Sequence, residues 1–282
     1  MRIYSFGLVF VLALSACGPP PREDNHYRRN GLYSQNFVSP VAVLVQERNG
    51  EPFYFASSFL QSKESGIFVT AKHFVENIGG SNFKVFFNGK VYDGLVVATP
   101  SISDLALTGI KGANFNPAYF PDPLSLSESQ LKIGDRVRIL GMHPHPVERQ
   151  AHKVLVGIFK GYYDMFWQKR EFVFDELEAK VSNLSVEVKN DDIAGTPEGA
   201  GFISNTYIEI ITVEDHHFSF GGLSGGVVVN EKNEVVGVVS HAREGGYVLD
   251  GLVLDYQPWD TVRLVPVKEL HELMAKLLVE KK

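Results

Sequence analysis

Short runs of apolar residues, separated by glycines, prolines and polar turns, recur along most of this chain. Residues 66–70 (Gly-Ile-Phe-Val-Thr) and residues 105–110 are two such runs, and both have the length of a buried strand. Further along, the runs 227–229 and 235–239 flank a polar turn at residues 230–233, which predicts a β-hairpin. The 26 glycines and 14 prolines between such runs favour an all-β fold over a helical one.

Both ends of the chain depart from this pattern. Apolar residues follow Pro266 at helical spacing, so residues 266–282 are predicted to form a helix that packs on the rest of the fold. Residues 17–36 are rich in proline and polar side chains and contain too few apolar residues to pack, which predicts a disordered tether. The apolar residues of the helix are Leu270, Leu273, Met274, Leu277 and Leu278.

The N-terminal segment has the features of an export signal. Arg2 supplies a positive charge, residues 3–14 are apolar, and the sequence Leu-Ser-Ala-Cys that ends at Cys17 resembles a bacterial lipobox. We therefore expect a lipoprotein signal peptide at residues 1–16 and lipidation of Cys17, with a conventional signal peptide as the alternative. Cys17 is the only cysteine, so the mature chain has no thiol for a disulfide. The expected location is the bacterial cell envelope, anchored by lipid and facing the periplasm.

Three short segments supply residue types for nucleophilic catalysis, in the order His, Asp, Ser. His73 follows the first apolar run, Asp104 opens the second, and Ser224 lies in the glycine-rich segment 221–226 (Gly-Gly-Leu-Ser-Gly-Gly). A serine hydroxyl becomes a good nucleophile when an imidazole takes its proton and a buried carboxylate orients that imidazole. The glycines permit a tight turn, in which the backbone amides of Gly222 and Ser224 are predicted to form an oxyanion hole.

Each of these segments alone has a simpler explanation: a histidine at a strand end, a polar cap, or a glycine-rich loop. Their order, and their position beside predicted strands, favours a catalytic site. The segment around Ser224 also fits the nucleophile elbow of α/β-hydrolases, which requires a helix after the serine and a histidine later in the chain. His241 and His271 would be available as that base. The hairpin predicted after Ser224 argues against this alternative.

With these motifs, the chain resembles the trypsin-like serine endopeptidases, nearest to the bacterial HtrA (Deg) and glutamyl-endopeptidase branches. The resemblance covers most of residues 37–265. It implies an all-β fold of two six-stranded antiparallel β-barrels with a short C-terminal helix, and it implies no cofactor. The segments that carry it are 58–75, 104–110, 131–141, which includes Leu-Lys-Ile-Gly-Asp-Arg-Val, and 222–239.

The resemblance also divides the chain into domains. Residues 37–118 are expected to form the N-terminal barrel, which carries the histidine and the aspartate, and residues 119–265 the C-terminal barrel, which carries the serine. The stretch from Asp104 to Ser224 is longer than HtrA-like domains usually need, so we expect an acidic insertion at about residues 161–206. This insertion would be either a solvated surface hairpin or a lid over the active-site cleft. No PDZ domain fits after the second barrel.

The same resemblance assigns roles to four residues near the substrate, one of which supports the triad aspartate. Ser240 falls where a strand serine supports the triad aspartate, and His241 and Ala242 fall on the edge that binds the substrate. Phe218 falls at the base of the P1 pocket, where trypsin-type enzymes carry an aspartate. Without that carboxylate a basic P1 side chain lacks a partner, so apolar or small P1 residues are expected. His241 leaves acidic P1 specificity, as in glutamyl endopeptidases, as the alternative.

Charge and histidine spacing exclude some partners. A net charge of −6 provides no electrostatic footprint for nucleic acid. Residues 143–145 (His-Pro-His) and 215–217 (Asp-His-His) match no known zinc-ligand spacing, and we interpret them as loop residues rather than a metal site. The expected partners are a polypeptide substrate and, through Cys17, a membrane, while the sequence leaves the oligomeric state open.

The sequence thus predicts a lipid-anchored serine endopeptidase that forms an acyl-enzyme at Ser224. His73 would act as general base and acid, and Asp104 as the group that orients it. A protein of the same fold that binds partners without catalysis is the competing hypothesis. The presence of all three residues favours the enzyme.

Overall fold

Most of the described chain is β-strand, as the short apolar runs predicted. The computed structural model describes residues 27–28, 40–48, 51–79, 82–87, 90–100, 103–112, 116–146, 170–187, 206–213, 220–249 and 252–280. Its strands are β1 (Tyr27–Arg28), β2 (Val41–Arg48), β3 (Glu51–Ser62), β4 (Ile67–Thr70), β5 (Lys84–Phe87), β6 (Lys90–Ala98), β7 (Ala106–Ile110), β8 (Arg136–Pro146), β9 (Arg170–Val186), β10 (Tyr207–Thr212), β11 (Val227–Val229), β12 (Val235–Leu249) and β13 (Leu252–Pro266). Its helices are α1 (Lys72–Asn77), α2 (Val267–Glu280) and a single 3-10 turn at Pro117–Tyr119.

The first barrel closes from six antiparallel strands in the order β2-β3-β4-β7-β6-β5. An aromatic cluster fills part of its interior. The rings of Phe68 and Phe87 meet edge to face with centroids 5.0 Å apart, and the rings of Phe87 and Phe120 do so at 4.8 Å. Such pairs bury large apolar area and prefer this geometry. The cluster fixes β4, the strand that leads into His73.

The second barrel contains β8, β9, β10, β13, β12 and β11, and it closes because β8 pairs with both β9 and β11. Aliphatic side chains fill its interior, among them Ile139, Val181, Ile210 and Leu264, all at most 2% exposed. The predicted fold of two six-stranded antiparallel barrels is confirmed.

A third buried cluster joins the two barrels. It contains Val43 and Leu107 from the first barrel and Val227 and Val265 from the second, and none of these side chains is more than 1% exposed. Burial of continuous apolar surface across both barrels favours their association. The two barrels are therefore held side by side by the same hydrophobic effect that fills each interior.

The predicted C-terminal helix is confirmed as α2. Leu270 and Leu273 are buried in the cluster between the barrels, and Met274 and Leu277 pack against it, so the apolar stripe faces the fold as its spacing predicted. Of the helices in the described ranges, none combines the length and the apolar character needed to cross a bilayer.

The expected insertion at residues 161–206 is wrong over its central part. Residues 170–186 form β9, which pairs with β8 along one edge and with β10 along the other, so they belong to the second barrel itself. Within this strand Val181 is 2% exposed and packs in the barrel interior, whereas Leu184 is 38% exposed and faces solvent. Residues 161–169 and 188–205 lie outside the described residues.

The predicted tether at residues 17–36 also needs a correction at two positions. Tyr27 and Arg28 form β1, which pairs with Asp175 and Phe174 of β9. Strand β9 extends beyond its pairing with β10, which stops at Ala179, and this extension leaves backbone groups that another strand can pair. The rest of the predicted tether lies outside the described residues.

Candidate active site

His73 lies where β4 ends and α1 begins. Strand β4 is buried along its whole length, and Phe74, the next residue after His73, is buried as well. On the other side, Lys72 forms an ion pair with Glu76 one helical turn later, at 3.0 Å. These contacts fix the backbone on both sides of the histidine. The His73 side chain itself keeps 18% of its surface exposed, so it remains accessible from solvent.

Asp104 is fully buried, and donors from both barrels satisfy its carboxylate. Its Oδ2 atom lies 2.9 Å from Nδ1 of His73, and its Oδ1 atom accepts the backbone N–H of His73 at 2.9 Å. From the second barrel, the Ser240 hydroxyl donates to Oδ2 at 2.5 Å. Because an ionised carboxylate can only accept, we assign the ring proton of His73 to Nδ1, which leaves Nε2 as the basic nitrogen.

Burial and charge act in opposite directions on this pair. Burial alone would lower the pKa of His73, but the charge of Asp104, the hydrogen bond to it and the nearby Glu76 carboxylate hold the pKa of His73 above its usual value. Burial would raise the pKa of Asp104, but the charge of His73 and the hydrogen bonds from His73 and Ser240 hold it below its usual value. The pair thus stabilises an imidazolium beside a carboxylate, the state that a general base forms after it takes a proton.

Ser224 lies in a turn in which some backbone amides are hydrogen-bonded and others are not. The amides of Leu223, Gly225 and Gly226 each donate to a backbone carbonyl at 2.7–2.9 Å. Across the residues that the structure describes, the amides of Gly222 and Ser224 donate to no other group. Both residues are partly exposed, so these amides are open to an acceptor from outside the protein. These two are the amides that the sequence predicts for the oxyanion hole.

Ser57 of β3 connects the Ser224 turn to the first barrel. Its backbone N–H donates to the Ser224 carbonyl at 2.9 Å, and its hydroxyl donates to the Gly222 carbonyl at 3.0 Å. Its own carbonyl accepts the Thr70 hydroxyl at 2.7 Å. Ser57 therefore fixes the carbonyl groups of the two residues whose amides are unpaired. Through Thr70 it is also bonded to the end of β4, the strand that leads into His73.

Gly225 allows the barrels to approach each other at this contact. Its φ is +84°, in the left-handed region. A Cβ atom at this position would lie 2.2 Å from the Ser57 carbonyl oxygen and 2.4 Å from Oγ1 of Thr70, so no side chain fits without displacing one of them. The turn that carries Ser224 consequently packs directly against the backbone that precedes His73.

The predicted catalytic residues are brought together with one exception. His73, Asp104 and Ser240 form one hydrogen-bonded group, and the Ser224 backbone is tied to the same region through Ser57. Within the described part of the chain, however, the Ser224 hydroxyl makes no hydrogen bond with His73. Hydrogen bonds of catalytic groups are often long or poorly aligned before substrate binds.

The predicted substrate-binding residues are described only in part. Phe218 lies outside the described residues, and Ala242 lies on β12 with its side chain outside them. His241 is described: its Nδ1 atom lies 3.0 Å from the Ser240 hydroxyl, and its Nε2 atom lies 3.2 Å from Nη1 of Arg263. Both ring nitrogens of His241 therefore face groups of the protein itself.

The histidine-rich segments are also described only in part. Residues 215–217 lie outside the described residues, and at the end of β8 the side chains of His143 and His145 are outside them too. Within the described ranges, no cluster of three or more His, Cys, Asp or Glu residues could hold a metal ion.

Sequence reasoning missed Ser57, Thr70 and Arg263. The signal for Ser57 and Thr70 is weak: each is a small polar residue inside a buried apolar run, where a hydroxyl needs a partner. The partner of the Ser57 hydroxyl is distant in sequence, since Ser57 is separated from Gly222 by 165 positions, and the partner of the Thr70 hydroxyl is Ser57 itself, on the neighbouring strand. No local motif identifies Arg263, because its contacts with Glu209 and His241 depend on which strands pair with β13.

We expect Glu76→Gln to lower the pKa of His73. The Glu76 carboxylate favours the charged imidazolium, so its removal favours the neutral ring, and the charge of Lys72 is then no longer compensated. An NMR titration of the His73 ring should show a pKa above the usual histidine value of about 6.5 in the unmodified protein and a lower one in the variant. Glu272→Gln, on the exposed side of α2, should leave it unchanged. A raised or unaltered pKa in Glu76→Gln would contradict this assignment.

Comparisons with known proteins bear on the fold and the family of the chain. Among solved structures, the active form of the Rv3671c protease from M. tuberculosis is similar, with 19% identity, a TM-score of 0.52, and coverage of 84% of this chain and 79% of that one. The inactive form of that protease matches with 18% identity, a TM-score of 0.50, and coverage of 84% and 88%. No curated protein matches the sequence significantly. Residues 56–238, more than half of the chain, match the family described as the trypsin-like peptidase domain, and the chain belongs to that family.

Proposed function

We propose that the protein is a serine endopeptidase with Ser224 as nucleophile, His73 as general base and acid, and Asp104 as orienting group. The observation that carries the proposal is the pairing of the buried Asp104 with His73 beside a turn whose Gly222 and Ser224 amides are unpaired. Family membership supports peptide-bond hydrolysis as the reaction. The geometry supplies the base, the orienter and the electrostatic stabilisation that this chemistry requires.

The reaction follows from these roles. Oγ of Ser224 attacks the carbonyl carbon of the scissile bond while Nε2 of His73 takes the hydroxyl proton, and Asp104 stabilises the imidazolium. The carbonyl oxygen becomes an oxyanion that the amides of Gly222 and Ser224 stabilise. His73 then protonates the leaving amine, and the C–N bond breaks to leave an acyl-enzyme. A water molecule, deprotonated by His73, hydrolyses the ester and releases the serine.

One step must precede this chemistry. Since the Ser224 hydroxyl makes no hydrogen bond with His73 in the described residues, its side chain has to rotate about the Cα–Cβ bond to reach Nε2. Ser57 restrains the backbone of this turn through its hydrogen bonds to the Gly222 and Ser224 carbonyls, so we expect the side chain rather than the backbone to make this adjustment. This missing contact is also the observation that favours the second candidate function, a binding protein of this fold without catalysis.

The sequence supports two further parts of the proposal. Anchoring in the cell envelope through a lipid on Cys17 rests on residues 1–17, and the preference for apolar or small P1 residues rests on Phe218. Both lie outside the described residues. The resemblance to the HtrA branch is a proposal of the same kind.

The first test of the activity is Ser224→Ala. The variant should lose all labelling by a fluorophosphonate and lose peptide cleavage by several orders of magnitude, because members of a triad act as a unit. The rate of peptide cleavage should be reduced nearly as much in His73→Ala, and only slightly more in the double variant. Thermal unfolding should hardly change in Ser224→Ala, whose side chain serves the reaction rather than the core, whereas His73→Ala removes a donor from the buried Asp104 carboxylate and should lower the unfolding temperature.

Wild-type protein decides between the two candidate functions. If folded wild-type protein neither labels nor cleaves a denatured protein substrate anywhere between about pH 6 and 9, a range that extends well above the usual histidine pKa of about 6.5, the enzyme hypothesis is rejected in favour of the binding protein. Labelling that persists in Ser224→Ala would reject Ser224 as the nucleophile.

The contact across the barrels predicts a second effect on activity. Ser57→Ala leaves the Gly222 carbonyl without its hydroxyl donor, which should cost about 1–3 kcal/mol of stability and loosen the oxyanion hole. We expect kcat to fall roughly 10- to 100-fold while KM changes less, because misplacement affects the transition state more than substrate binding.

Ser58→Ala is the matched control for this experiment. Ser58 is also fully buried, but its hydroxyl contacts the Ala42 carbonyl of the first barrel at 3.5 Å. It should keep the wild-type kcat. Equal losses of kcat in Ser57→Ala and Ser58→Ala would show that the loss is caused by lower stability and not by a changed orientation of the Ser224 turn.

The anchor is tested by Cys17→Ser. Wild-type protein should fractionate with membranes and carry a lipidated N-terminus, since each buried methylene of an acyl chain contributes about 0.8 kcal/mol. Cys17→Ser should release the protein from the membrane fraction, whereas Ser15→Ala, which keeps a small residue beside the cleavage site, should not. A wild-type protein that is soluble without detergent and has an unmodified N-terminus would exclude the anchor.

A further inference from the structure

A row of polar side chains crosses the second barrel and ends on Asp104. Glu209 of β10 lies opposite Arg263 of β13, and Arg263 lies opposite His241 of β12. The side chain of Arg263 is 12% exposed and that of Glu209 is 19% exposed, and their nearest charged atoms are 3.6 Å apart. Partly buried charges of this kind need partners. The steps of hydrolysis described above use none of these three side chains.

A β-bulge connects this row to the catalytic aspartate. The register between β12 and β13 shifts between Val239 and His241, so that Ser240 is the extra residue of the bulge. In a regular strand, neighbouring side chains point to opposite faces. Here the Ser240 oxygen lies 2.5 Å from Oδ2 of Asp104 and 3.0 Å from Nδ1 of His241. One hydroxyl group therefore joins the histidine to the aspartate.

The count of protons determines the state of His241. The Ser240 hydroxyl has one proton and donates it to Asp104, so the contact with His241 requires Nδ1 of the ring to be the donor. Nε2 faces Nη1 of Arg263, which can only donate, so Nε2 must be an unprotonated acceptor. His241 is consequently a neutral ring with its proton on Nδ1. A second proton would place two donors and two positive charges against each other.

The ring is also held in position by packing. Tyr207, which is 1% exposed, contacts the His241 ring edge to face with centroids 5.0 Å apart and planes at 86°. Glu209 is positioned in turn by Ser182, whose hydroxyl donates to the Glu209 carbonyl at 3.0 Å. His241 and Glu209 are therefore each fixed by a further contact outside the row.

We propose that His241 is a positioning residue of the catalytic site, which holds the Ser240 hydroxyl on Asp104 while Arg263 fixes its tautomer. Donation from His241 polarises the hydroxyl, because chained hydrogen bonds strengthen one another, and so strengthens the bond that Ser240 makes to the carboxylate. The catalytic consequence rests on the proposed serine-peptidase function, in which Asp104 orients His73. The proposal also argues against acidic P1 specificity through His241, because a substrate carboxylate would have to displace Ser240 or Arg263.

Three variants test the role of His241 by kinetics. His241→Phe keeps a ring against Tyr207 and removes both nitrogens, so kcat should fall roughly ten-fold, the effect of about one hydrogen bond, with a smaller change in KM. Inactivation by a fluorophosphonate without a peptide portion should slow by the same factor. His241→Asn keeps an N–H near the position of Nδ1 and should recover most of this loss. His271→Phe, the same change on α2, should alter neither rate.

An NMR measurement on the folded protein does not depend on activity. In wild-type protein with ¹⁵N-labelled histidine, His241 should be neutral with its proton on Nδ1. The downfield proton that joins His73 to Asp104 should shift in His241→Phe and stay in place in His271→Phe. If wild-type protein is inactive but both observations hold, the positioning role is correct and the proposed function fails. If His241→Phe does not fold, the tautomer of His241 in wild-type protein and the activity of His241→Asn test the proposal instead.

Two results would overturn the proposal. One is an NMR spectrum in which the His241 ring carries its proton on Nε2, or in which the ring takes up a second proton as an ordinary exposed histidine does. The other is a His241→Phe variant that raises KM only for substrates with an acidic P1 residue and leaves fluorophosphonate inactivation unchanged, which would identify His241 as a residue that binds substrate.

Discussion

The close contact between Ser57 and the Ser224 turn is the constraint on which the site depends. In the proposed mechanism the base and its orienting carboxylate belong to the first barrel and the nucleophile to the second, so the distance between them is set by how the barrels dock. The apolar cluster between the barrels favours docking, but the hydrophobic effect has no direction and does not specify a register. The directional hydrogen bonds from Ser57 to the Gly222 and Ser224 carbonyls do specify how the two barrels align. Gly225 makes that approach possible, since a side chain there would collide with Ser57.

The buried carboxylate of Asp104 adds a second link of the same kind. A fully buried charge is costly unless hydrogen bonds compensate for its lost hydration. Two of its donors come from His73 in its own barrel and the third from Ser240 in the other. Folding of the first barrel alone would leave this carboxylate short of a donor, so assembly of the site is coupled to association of the barrels. The row through His241 extends the same support across the second barrel.

Local patterns predicted the all-β character, the C-terminal helix and the segments that carry the candidate triad, because buried strands and glycine-rich turns leave short-range signals. The two barrels were implied by the family resemblance of those segments. The insertion expected at residues 161–206 was wrong over β9 for a physical reason. Its acidic residues were interpreted as part of either a solvated surface hairpin or a lid over the cleft, but Glu176 forms an ion pair with Arg138 on the neighbouring barrel strand, and such cross-strand pairs stabilise a sheet. The Ser57 contact could not be predicted, since it joins two residues that only the docked barrels bring together.

A crystal structure of the protein after reaction with a fluorophosphonate tests the central claim most directly. We expect phosphorus bonded to Oγ of Ser224, the phosphoryl oxygen within hydrogen-bond distance of the Gly222 and Ser224 amides, and the bonds from Ser57 to the two carbonyls unchanged. Nε2 of His73 should lie beside the serine oxygen. An adduct on another residue, or a phosphoryl oxygen that points away from both amides while the Ser57 contact is broken, would contradict the account.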